Sequence, residues 1–163
     1  MEYSPFALDI ESPDTNFLTT TQELGVALVA YSPLGRGLLT GRFKSLDDFE
    51  EGDFRKLLPR FSPKNFPKNL ALADQLQAIA SRKGVTSTQL ALAWLLAQSD
   101  NVIPIPGIKS IKYYDENMGA LKVTLNDADL QAIRAAVEQA DVQGSRYPAT
   151  WTADSLFADT VPL

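Results

Sequence analysis

A chain of 163 residues with 45% apolar composition is long enough for one domain with a real core, and no apolar run approaches the ~20 residues that a membrane-spanning helix needs. Its net charge of -5, with basic side chains scattered among acidic ones, offers no surface suited to a nucleic-acid backbone, and the absence of cysteine excludes disulfides and thiolate chemistry. Histidine is absent too, which removes the commonest general base, the usual nitrogen ligand of zinc and any triad built on imidazole.

The opening Met1-Glu2-Tyr3-Ser4-Pro5 lacks the basic and apolar parts of a secretory signal, so a cytoplasmic location is expected. Asp14 is a candidate cap for a helix through Phe17, Leu18, Thr21 and Leu24 that stops at Gly25. Residues 26–30 then form an unbroken apolar run, suited to a parallel strand buried on both faces and ended by Tyr31. Pro33, Gly35 and Gly37 turn the chain there, so that the backbone can approach a ligand and present N–H groups that attract phosphate. The spacing of Gly35, Gly37 and Gly41 is one residue too long for G-x-G-x-x-G, and no Gly-Lys-Ser/Thr follows. A plain strand, turn and helix start accounts for these glycines as well as a ligand site does.

Residues 43–69 read as an irregular segment, with Pro59, Pro63 and Pro67 and an acidic cluster from Asp47 to Asp53, of the kind that is often functional or mobile. A helix is predicted over 69–82, with Leu70, Ala73, Leu76, Ile79 and Ala80 toward a sheet and Asp74, Gln77 and Lys83 opposite. After Gly84, Thr86 or Ser87 can cap a second helix bearing a core stripe of Leu90, Ala91, Trp94, Leu95 and Leu96. Residues 102–105 are a second short apolar strand, ending near Gly107, where another loop can meet a ligand. Residues 126–140 are an amphipathic helix with Leu130, Ile133, Ala136 and Val137 on one side. The tail from 141, with Arg146, Tyr147, Trp151, Leu156 and Phe157, is expected to be an ordered loop that covers something, with a mobile tail as the alternative.

Two strings in this order, AYSPLGRGLLTG from Ala30 and IPIPGIKSIKYYDEN from Ile103, resemble the segments after the seventh and eighth strands of aldo-keto reductases, closest to their microbial and fungal branch. The likeness runs through essentially all of 1–163, from EYSPF to FADT, and corresponds to the family's C-terminal half. It implies an α/β fold, the C-terminal part of a (β/α)8 TIM barrel from about strand six, incomplete in this chain. It also implies NADP as cofactor and hydride transfer between nicotinamide and an aldehyde or ketone, a small-molecule carbonyl substrate in a complete barrel. Phosphate sites after strands seven and eight are usual in such barrels.

By the same resemblance, Tyr31 packs on the nicotinamide, and Ser32, Leu34, Gly35 and Gly37 offer donors to the pyrophosphate, with Arg42 and Arg60 adding positive charge and Arg36 facing solvent. Gly107 opens the second loop. Lys109 is the candidate for the 2′-phosphate, and Glu116 and Asn117 for the adenine. Tyr113 departs from the family, many of whose members carry glutamine or arginine there, so the adenosine contact is altered at that point.

The family's aspartate, tyrosine, lysine and histidine acid apparatus precedes the segment matched here, and no histidine exists in this chain to stand for it. No catalytic residue is therefore assigned. The 163-residue chain by itself is expected to be inactive toward carbonyls, to fold poorly and to self-associate through open barrel edges. The rival readings are an inactive cofactor-binding or barrel-completing module, and a non-functional truncated product.

Overall fold

Two short parallel strands, β1 (Leu28–Ala30) and β2 (Val102–Pro104), pair Leu28 with Val102, Val29 with Ile103 and Ala30 with Pro104 in a computed structural model that describes residues 1–151. The first residues lie along the other edge of β1. Glu2 bridges Tyr31 in parallel, Tyr31 N–H donates to the Met1 carbonyl at 3.0 Å, and Tyr3 N–H donates to the Tyr31 carbonyl at 3.4 Å. Parallel neighbours require crossovers, and helices supply them. α1 (Phe17–Glu23) lies between the first segment and β1, while α2 (Phe66–Lys83) and α3 (Ser87–Leu96) lie between β1 and β2.

The strands are shorter than the apolar runs and are not buried on both faces. Leu28 and Ala30 are buried, whereas Val29 is 47% and Ile103 50% exposed, because no described element covers that face. Val26 stays outside β1. Its N–H closes the end of α1 on the Thr21 carbonyl, and the ladder begins where Leu28 N–H reaches the Asn101 carbonyl at 2.7 Å.

Asp14 does not cap α1. Asn16 occupies the cap position with φ 46° and no side-chain bond, in a chain reversal made by Ser12, whose carbonyl accepts from the Thr15 and Asn16 N–H groups. α2 starts at Phe66, earlier than expected, since Pro67 falls in the first turn, where its missing N–H costs nothing. Thr86 and Gln89 close a reciprocal capping box on α3. That helix is buried all round, Leu92 and Ala93 included, so it is a central helix and not one with a single core stripe. α4 (Ile111–Gly119) is capped by Ser110, and α5 (Asp127–Gln139) by an Asn126–Asp129 box with Ile133, Ala136 and Val137 buried.

The proline-rich segment folds over an aromatic cluster. Phe43 stacks on Phe49 at 4.6 Å, and Phe61 and Phe66 meet Phe49 edge-on at 5.8 and 5.6 Å. The tail passes over this segment. Fully buried Asn69 donates to the Arg60 and Gln143 carbonyls and accepts from Gln143 N–H, while a Cβ at Gly144 (φ 90°) would lie 2.7 Å from the Pro59 carbonyl carbon. Leu156 and Phe157 lie outside the described residues. Buried Tyr3 donates to Glu11 at 2.6 Å, and Arg134 of α5 holds the same carboxylate at 2.7 and 3.1 Å. Burial and Glu11 together push the Tyr3 phenol well above the ordinary tyrosine range.

Candidate functional site

The turns after β1 and β2 lie at the same end of the parallel pair, because both leave a strand's C-terminus. The first winds tightly, with Gly35 N–H on the Ser32 carbonyl and Gly37 N–H on the Leu34 carbonyl, both 2.9 Å. Ser32 and Arg36 take left-handed φ values of 51° and 57°, conformations that cost a side-chain-bearing residue and recur where a backbone is shaped around a ligand. Gly37 has φ 93°, and a Cβ there would meet the Phe43 ring at 3.1 Å and Arg55 Nη1 at 3.3 Å. The second turn runs from Ile105, whose N–H extends the ladder to the Ala30 carbonyl at 3.0 Å, through Gly107 and Lys109 to the Ser110 cap.

Between them opens a cleft of about 1060 Å³. Its walls carry Arg36, Arg42, Arg55, Lys109 and Arg146 against Asp53 and Glu116, a basic lining in a chain whose net charge is -5. The cations differ in their commitments. Arg55 is fixed by the Asp53 carboxylate, whose pKa is held below the usual range by that bond, and its guanidinium lies 4.3 and 4.6 Å from the Phe43 and Phe49 ring centroids. Arg146 pairs with Glu2 and donates to Ser32 Oγ at 3.0 Å. Burial opposes the Arg146 charge, but bonds to Tyr147 and Glu2 outweigh it and leave its pKa raised. Among the described residues, Arg36, Arg42 and Lys109 have no carboxylate partner.

Of the residues singled out from the sequence, Ser32, Leu34, Gly37, Arg42, Gly107, Lys109, Tyr113, Glu116 and Asn117 line the cleft. Three do not. Gly35 is buried behind the turn. Tyr31 and Arg60 border a separate cavity of about 780 Å³ with Glu2. Arg60 pairs there with Glu2 at 3.1 Å, and the Arg146 guanidinium sits 4.4 Å from the Tyr31 ring centroid. Arg36, expected to face solvent, lies instead 5.4 and 5.0 Å from the Phe54 and Tyr147 ring centroids at the cleft wall. Arg42 reaches across to α4, donating to the Tyr113 hydroxyl with its guanidinium 5.0 Å from that ring.

Arg55 and Arg146 were not readable as site residues from the sequence. For Arg55 a signal existed in Asp53-Phe54-Arg55, an acid two residues before a base inside an aromatic-rich loop. For Arg146 there was none, since Glu2 and Ser32, which hold it at the cleft, are more than 100 residues away. Among the described residues, two groups at the cleft wall are buried without a hydrogen-bond partner, the Asn117 side-chain amide nitrogen and Arg146 Nε.

Comparison with known proteins matches residues 1–138 to the model of the aldo/keto reductase family. The chain is 50% identical over 163 residues to an aldo-keto reductase of Schizosaccharomyces pombe named for NADP(+), covering 100% of this chain and 48% of that protein. It is 51% identical over 146 residues to an aldo-keto reductase of Strobilurus tenacellus, covering 90% of this chain and 44% of the relative. The chain thus spans about half the length of these curated relatives. Among solved structures, a glycerol dehydrogenase of Gluconobacter oxydans superposes with a TM-score of 0.76 at 25% identity, over 88% of this chain and 43% of its own. A thermostable aldo-keto reductase solved with the inhibitor epalrestat gives 0.58 at 27% identity, over 83% and 38%. The parallel strands with outer helices are part of the TIM barrel of these structures.

Proposed function

This chain belongs to the aldo/keto reductase family, and on that premise we propose that it forms the NADP-binding part of a reductase that reduces an aldehyde or ketone carbonyl. The observation that carries the proposal is the cleft itself: five basic side chains against two acidic ones, between two strand-end turns, in an acidic chain.

The residues present fit a long phosphorylated nucleotide. Gly37 has no room for a side chain, since a Cβ would press on the Phe43 ring and the Arg55 guanidinium, and the tight turn it permits lines the cleft together with Ser32 and Arg55, donors suited to a pyrophosphate. The unpartnered Asn117 amide and the Glu116 carboxylate suit the donors and acceptors of an adenine edge. Lys109 supplies a cation for a 2′-phosphate. When bound, the nicotinamide supplies the hydride; these side chains orient it and hold its charge.

Hydride arrival leaves negative charge on the carbonyl oxygen, which needs a positioned acid. Histidine is absent from the chain, Tyr3 is buried on Glu11 with its pKa raised, and Tyr147, lowered by Arg146, does not line the cleft. In this proposal the acid belongs to the part of the reductase that these residues do not represent. The same observation favours a second reading, a cofactor-binding module without turnover.

Titration of NADPH into the purified protein, followed by NADPH oxidation with several aldehydes, tests both. Turnover that appears once the chain is joined to an N-terminal half carrying the acid supports the reductase, binding without turnover even then supports the module, and no binding of NADPH sinks the cofactor reading.

A further inference from the structure

Arg42 and Tyr113 stand 71 residues apart in sequence and meet across the cleft. Arg42 follows Gly41, whose left-handed φ of 73° closes the turn after β1. Its guanidinium lies 5.0 Å from the Tyr113 ring centroid and 5.5 Å from that of Phe43, and it donates to the Tyr113 hydroxyl. No carboxylate among the described residues neutralises it, whereas Arg55 and Arg146 on the same wall are each tied to one. A stacked but uncompensated guanidinium is preorganised for an incoming anion.

Tyr113 belongs to the first turn of α4, four residues after Lys109 and four before Asn117. Positions 113 and 117 share a helix face, so the buried, unpartnered Asn117 amide lies on the same side of α4 as the Arg42–Tyr113 contact. Having accepted from Arg42, the Tyr113 hydroxyl keeps its own proton to donate. Lys109 and Arg42, neither with a carboxylate partner among the described residues, thus line the cleft together with one phenol, matching the charge of a phosphate monoester better than Lys109 alone.

Resting on the cofactor reading above, we propose that Arg42, held on Tyr113, is the second cation for the adenosine 2′-phosphate, so that the preference for NADP over NAD is set jointly by Lys109 and Arg42 from two different turns. Arg42 accordingly serves the adenosine end and not the pyrophosphate.

Calorimetric titration with adenosine 2′,5′-bisphosphate and adenosine 5′-monophosphate, which differ only by the 2′-phosphate, reads this without any turnover. Arg42→Ala is expected to weaken the bisphosphate about tenfold or more while changing the monophosphate by less than about twofold. Arg42→Lys should recover part of the loss, and Tyr113→Phe should show a smaller loss of the same selective kind. Equal weakening of both ligands by Arg42→Ala, or no change in either, overturns the assignment. If the wild-type protein binds neither nucleotide nor NADPH, the cofactor reading itself fails, an outcome separate from a failure of Arg42 alone.

Discussion

The Arg55 guanidinium donates through Nη1 to the backbone carbonyl of Arg36 at 3.1 Å, pinning the turn after β1 from the loop that follows it. Asp53 grips the other edge of the same guanidinium at 3.0 and 2.5 Å. The cation that faces the cleft is therefore also the clamp that shapes it. Arg55→Lys keeps the charge but loses the planar fork. We expect it to weaken NADPH binding about tenfold, a loss that isothermal titration would read; an unchanged affinity would show that charge alone matters there.

Gly37→Ala places a methyl group 3.1 Å from the Phe43 ring at a φ of 93°. Left-handed strain for a non-glycine residue costs ~1–3 kcal/mol, and the turn has to shift to relieve the contact. The expected result is a lower unfolding midpoint together with weaker nucleotide binding. Thermal denaturation unchanged from wild type would show that the turn adapts freely.

Lys109→Ala removes a cleft-lining ammonium with no carboxylate partner among the described residues. NADPH should weaken by roughly 1.5–3 kcal/mol, about tenfold to a hundredfold, and NADH by much less, as one lost charge-assisted bond predicts. Parallel titrations of the two cofactors decide it. Equal effects would make Lys109 a solvated surface residue.

Asp53 has its pKa lowered chiefly by the hydrogen bond from Arg55. A carboxylate depressed in the folded state contributes stability that is present above its unfolded pKa of about 4 and is lost as pH falls through the lower folded value. Asp53→Asn should therefore be less stable than wild type at neutral pH and converge with it below about pH 4. Urea midpoints followed down from neutral pH check the sign; a gap that does not narrow as the pH falls would implicate packing instead.

Glu11→Ala strands two groups at once, the buried Tyr3 hydroxyl and the Arg134 guanidinium. Tyr3→Phe removes only a hydrogen bond. The first should cost about 2–4 kcal/mol and the second about 1 kcal/mol, the asymmetry expected when a partner is deleted and polar groups are left unpaired. Chemical denaturation showing equal costs would mean that solvent reaches Tyr3 once Glu11 is gone.

The sequence by itself determined the parts whose causes are local. Thr86 with Gln89, and Asn126 with Asp129, announce helix starts within four residues, and the apolar runs at 26–30 and 102–105 locate the two strands and hence the two turns. Ser32, Gly37, Lys109 and Asn117, which the family likeness picks out, lie around one cleft. Tertiary structure alone decided which long basic side chain serves which partner. Arg55 takes the carboxylate two residues before it, whereas Arg60 in the same segment turns to distant Glu2, because a guanidinium on a flexible stem goes where a carboxylate and an aromatic face have been brought together. Arg42 finds Tyr113, and Arg146 finds Glu2, over separations at which no periodicity operates. Burial of the strands was likewise not local: alternation along β1 leaves Val29 and its partner Ile103 open, and whether such a face is covered depends on what packs against it, which no residue in the strand encodes.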